Sequence, residues 1–208
     1  MKTFFFMIVC ALVAGPVFGA DFSERIKVLE GLIAKNPAYA KKSPISVRIE
    51  LLKMEKQPES WTELKSTLAD ICKKQGITQA YVPSVTPFQT VVFDYKGKFI
   101  SEAFEEAKRT GSIWTYYIIR RHKDKLNLTD GQLEQLLLDT LSKVKFENQP
   151  QNAALIVDMY IKLLPNVEEA KAKEGLKKIN RIFSPYLLKN KTAWEPIVAS
   201  IRTALETY

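Results

Sequence analysis

The chain is poor in the residues that most enzyme sites are built from. Eight glycines occur in 208 residues, and the six beyond residue 20, at 31, 76, 97, 111, 131 and 175, are all isolated. Without a glycine-rich loop, backbone cannot close around a phosphate, and no G-x-S-x-G elbow is present. Beyond residue 20 there is one cysteine, Cys72, and one histidine, His122. One of each cannot make a zinc site of nitrogen and sulfur ligands. No spaced Asp/Asn run resembles a calcium loop. The sequence therefore predicts no metal, no cofactor and no catalytic residue. Cys72 with His122 is formally a nucleophile and base, but Cys72 shares helical spacing with Leu68 and Ile71, as a small core residue would.

Long apolar runs are also lacking beyond the first twenty residues. Those residues read as a secretory signal peptide. Lys2 is a short positive start, "FFFMIVCALVAGPVF" is an apolar run too short to span a bilayer comfortably, and small Gly19 and Ala20 follow. Cys10 sits mid-run, which argues against a lipid anchor. The expected mature chain starts at Ala20 or Asp21, does not span a membrane and is periplasmic or secreted. With one thiol it has no internal disulfide, so packing must supply its stability. That suits a bacterial periplasmic protein.

A concentrated basic face is missing as well. The net charge is +8. Residues 21–111 hold 15 Lys+Arg against 12 Asp+Glu, and residues 112–208 hold 15 against 11, giving +3 and +4. An excess this evenly spread does not point to a nucleic-acid binder. It suits contact with an anionic envelope polymer or another protein.

What is present is helix signal, almost without pause. Ile26, Leu29, Leu32 and Ile33 follow Asp21 and Glu24, which form a candidate capping box. Ser43 precedes Pro44, a proline placed where a helix loses no hydrogen bond. Ser60 and Glu63 open a helix burying Trp61, Leu64, Leu68, Ile71 and Cys72, with Gly76 as stop. Residues 76–86 carry no helical period and read as a hinge or functional loop. Thr86, Pro87 and Gln89 look like a further helix start, with Phe88, Val91, Val92 and Tyr95 inward, although "TVVFDYKGKFIS" could also be a hairpin. Thr129 with Gln132, Pro150, and Asn166 with Glu169 open three more. The predicted fold is all-α: one domain over residues 21–208, about ten short antiparallel helices in an irregular bundle or a stack of helical hairpins.

Candidate contact residues are few. "SIWTYYIIRRHKDK" (112–125) begins apolar on every side, as a buried helix does, and ends in Arg120, Arg121, His122 and Lys123. Cations at a helix end complement its dipole, so position alone accounts for them. If an anion or partner site exists, it should lie where this helix surfaces. Tyr81, an aromatic in the predicted loop, is a second candidate contact or an anchor for that loop. The sequence thus points to an exported, non-catalytic interaction or scaffold protein of the bacterial cell envelope. Two other readings are a protein holding a hydrophobic or anionic ligand between helices, and an envelope hydrolase using two carboxylates among Asp94, Glu102, Glu105 and Glu106.

Overall fold

The computed structural model describes residues 22–208; the predicted leader, residues 1–20, and the Asp21 cap lie outside the described residues. Ten α-helices follow one another, with no strand among the described residues. They are α1 (Ser23–Lys35), α2 (Pro44–Leu52), α3 (Trp61–Lys74), α4 (Tyr81–Gln89), α5 (Ile100–Arg109), α6 (Trp114–Leu126), α7 (Asp130–Lys143), α8 (Pro150–Leu163), α9 (Glu169–Phe183) and α10 (Lys191–Thr207). The all-α class follows from local chemistry. The Ser43, Ser60 and Thr129 hydroxyls accept the N–H groups of Ser46, Glu63 and Gln132 at 3.2, 3.1 and 3.3 Å. Each such cap contributes about 1 kcal/mol. Gly76 and Gly111 end α3 and α5 at φ of 64° and 60°. Behind them, the Ile77 and Ser112 amides reach back to the carbonyls of Cys72 and Ala107, both at 2.9 Å. Only a left-handed residue lets the chain reverse in this way, so glycine fits at both positions.

Three local readings are corrected. The 76–86 stretch is not a loop throughout: α4 starts at Tyr81, leaving a short turn before it. Thr86 and Pro87 do not begin a helix but lie within this one. Pro83 sits in the first turn, where its missing N–H has no bond to lose. Pro87 does forgo one, and the helix loosens just beyond it into a π turn, Thr90–Asp94, rather than a hairpin. The Asn166–Glu169 box is also not formed. Asn166 closes a 3-10 turn, and Glu168 holds the cap position with no side-chain bond.

One continuous core runs from Leu29 to Ala204. In the first part of the chain α2 packs on α1, α3 and α4, and α5 packs on α6. In the second, α10 lies against α8 and α9, and α7 against α8 and α9. The two groups meet where α6 packs on α7. Each has an aromatic centre. Phe88 lies between Trp61 and Trp114, at 5.5 and 5.9 Å between ring centroids. Phe183 lies against Phe146 and Trp194, at 5.8 and 5.4 Å. The second group also buries a polar pair: the Tyr160 hydroxyl donates to Glu134 Oε1 at 2.8 Å. Gly175 on α9 makes room for it, since a Cβ there would stand 1.9 Å from the Tyr160 oxygen.

Candidate functional site

The best-organised polar feature is the π turn Thr90–Asp94 with the end of α6 docked on it. Asp94 closes the turn and is 3% exposed. Arg48, on α2 and 5% exposed, binds it with both arms of its guanidinium: Nε to Oδ2 at 2.7 Å and Nη2 to Oδ1 at 2.6 Å. Arg25 on α1 adds a third bond, Nε to Oδ1 at 2.6 Å. Both carboxylate oxygens are therefore taken up by structural cations. A buried carboxylate is tolerable only on such terms. The cluster ties α1, α2 and the π turn together and keeps a surplus positive charge.

The last two turns of α6 cover this turn. His122 is 8% exposed and its Nε2 lies 3.1 Å from the Val92 carbonyl oxygen. With a carbonyl as partner, Nε2 carries the hydrogen. His122 also breaks the helical dihedrals, at φ −134° and ψ 24°, so α6 bends here. Burial pulls its pKa below the ordinary value, and the charges of Lys125 and Arg121 pull the same way; the bond to Val92 opposes them. The guanidinium of Arg121 lies 5.4 Å from the Phe93 ring centroid, and that of Arg48 lies 5.9 Å from the same ring. Lys125 bonds the Lys96 carbonyl, and its stem fills the space where a Gly97 side chain would be.

The sequence-predicted contact residues therefore have different fates. Arg120 and Arg121 are exposed neighbours. The Tyr116 hydroxyl takes a bond from Arg120 at 3.3 Å, and Phe93 underlies Arg121. Neither arginine has a carboxylate within ion-pair distance among the described residues. Lys123 is partly neutralised by Asp130 at 3.6 Å. His122 faces inward, as a docking residue rather than a contact for a partner. Tyr81, 44% exposed, begins α4, at the far end of that helix from the π turn.

The candidate carboxylates are also placed. Asp94 is buried as described, and Glu102 and Glu105 are exposed. Glu106 accepts from Trp61 Nε1 at 2.8 Å and from Lys65 at 2.7 Å. Burial pushes its pKa up, but those bonds and the charges of Lys65 and Arg109 outweigh that and hold it below the ordinary range. Cys72 lies in the core, and burial pushes its thiol up, away from the thiolate a nucleophile needs. Sequence reading missed Arg48, although a signal existed. It is the lone cation among the apolar Val47, Ile49, Leu51 and Leu52, where a charge must be solvent-facing or paired.

Compared with known proteins, the chain matches no family model, no curated protein and no solved structure.

Proposed function

We propose that this chain is an exported, non-catalytic interaction protein of the bacterial cell envelope that engages an anionic partner through the Arg120–Arg121 surface. One observation carries the reading. These two exposed guanidinium groups are held by aromatic side chains, Tyr116 and Phe93, and not by carboxylates. Arginines steadied this way lose little freedom on binding and have no internal anion to give up. Export and the envelope setting rest on the leader-like residues 1–20. The partner is a protein with an acidic face or an anionic envelope polymer.

Exchange of both residues, R120Q with R121Q, tests this by affinity capture from an envelope extract. Two exposed ionic contacts at about 0.7 kcal/mol each correspond to roughly tenfold weaker binding. Added salt should weaken the wild-type complex more than the variant's. Because both heads lie on the surface, stability should stay within about 0.5 kcal/mol. Equal recovery of the same partner by the double variant would overturn the assignment, as would turnover of a small molecule by the pure protein.

A further inference from the structure

Where α5, α6 and α7 meet there is a cleft of about 340 Å³. Lys108 and Arg109 line it from the end of α5, Gly111 and Thr115 from the start of α6, and Asp139 and Lys143 from α7. Its size falls within the range of small-molecule sites. It involves neither Arg120 nor Arg121.

Thr115 is the residue that needs explaining. It is 2% exposed and its hydroxyl makes no hydrogen bond. The other three buried threonines among the described residues all return their hydroxyls to the carbonyl four residues earlier. Thr86 bonds Val82 at 2.6 Å, Thr90 bonds Thr86 at 2.9 Å, and Thr140 bonds Leu136 at 2.8 Å. Thr115 stands in the first turn of α6, and the residue four before it is left-handed Gly111. No helical carbonyl is presented to it, so the usual back-bond is unavailable. Leaving a buried hydroxyl unpaired is costly. Among the described residues only one other buried side-chain atom, Gln89 Oε1, shares this condition.

The charges around the cleft are unevenly matched. Lys108 is paired with Glu105 at 2.7 Å. Lys143 is 3.9 Å from Asp139, too far for a hydrogen bond. Its stem lies against Gly111, where a Cβ would stand 3.1 Å from the Lys143 Cβ. Arg109 makes no hydrogen bond or ion pair among the described residues. The carboxylate that feels its charge, Glu106, is already bonded by Lys65 and Trp61. The first amides of α6 are spent within the turn, Thr115 N–H on Ser112 and Tyr116 N–H on Ile113, each at 3.1 Å. The donors left over are a guanidinium, an ammonium and a buried hydroxyl, gathered where α6 begins and where α5 and α7 end.

We propose that this cleft binds a small ligand through an oxyanionic head group, a phosphate or a carboxylate. Arg109 and Lys143 donate to its oxygens, and the Thr115 hydroxyl gains its missing partner. The free protein thus carries an unsatisfied group that the ligand relieves, a cost to stability retained for binding.

Thr115→Val separates this from a purely structural role. The exchange keeps the shape and removes the orphaned hydroxyl. The ligand-free variant should melt at a higher temperature than wild type while binding at least about tenfold more weakly. Arg109→Gln should weaken binding by a similar factor with little change in melting, since its head is exposed. Binding is read by titration calorimetry in a low-chloride buffer, with inorganic phosphate, glycerol 3-phosphate and succinate as probes. Saturable binding of at least one, with a Kd of about 1 mM or tighter, is expected. Preference for the two phosphates or for succinate assigns the head group. The R120Q/R121Q protein should bind the same probe unchanged. The proposal fails if none of the three saturates. It also fails if R109Q and T115V bind as wild type does, or if T115V lowers the melting temperature.

Discussion

His122 shows how one residue can be read correctly for composition and wrongly for role. Its place in a basic run suggested a surface contact, yet it turns inward to the Val92 carbonyl and bends α6. Because burial holds its pKa below the ordinary value, the unfolded chain takes up this proton first as pH falls. The stability it contributes is full above about pH 6.5 and declines below that, until the folded protein's own lower pKa is reached. His122→Gln can still donate to Val92 but cannot titrate. Melting temperature measured from pH 7.5 to 5 should fall less steeply for H122Q than for wild type. Parallel curves would show that His122 is not the source of the slope. Tyr160 and Gly175 make a related point. A lone helical glycine reads as a weakness in the sequence, yet here it is the space a buried tyrosine hydroxyl requires.

At the scale of elements, the π turn Thr90–Asp94 decides how the first part of the chain is assembled. It receives Arg48 from α2, Arg25 from α1 and His122 and Arg121 from α6. Removing one partner of a buried ion cluster leaves the others uncompensated, at about 3–5 kcal/mol. Asp94→Asn is expected to cost that much in urea unfolding. Arg25→Met should cost less, because the Arg25 side chain is 21% exposed and Arg48 still holds both oxygens of Asp94. A cost for D94N below about 1 kcal/mol would remove the turn from this role. The sequence signals here were ambiguous for a physical reason. A threonine followed by proline and, two residues on, glutamine is a fair helix start, but the same residues fit inside a helix when the preceding turn is already formed. Thr86 then spends its hydroxyl on Val82 instead of capping.

For the whole molecule, the question is whether the two groups of helices behave as one body. They share a continuous core, α6 packs on α7, and the Tyr117 hydroxyl reaches Asn152 on α8 at 3.0 Å. A single cooperative transition is expected on these grounds. The three tryptophans allow a direct test, since Trp61 and Trp114 report on the first group and Trp194 on the second. In W194F, and separately in W61F/W114F, the fluorescence and far-ultraviolet circular dichroism midpoints in urea should coincide. A fluorescence midpoint displaced from the dichroism midpoint in either protein would show that the groups unfold apart.

The sequence by itself determined the class of the protein and most of its inward faces. Helical spacing, caps such as Ser43 and Thr129, and stops such as Gly76 and Gly111 act within a turn or two, so they are visible without the fold. The inward set Trp61, Leu64, Leu68, Ile71 and Cys72 is buried as the spacing predicts. Only the tertiary structure decided which polar groups are spent and which are left over. Asp94 finds its arginines 46 and 69 residues away, so nothing local marks it as buried. Thr115 looks like any helical threonine until α5 and α7 close around it. A charge or hydroxyl acquires a role from what surrounds it, and in this chain those surroundings are assembled from distant segments. The exposed arginines and the unpaired Thr115 hydroxyl are what that assembly leaves over.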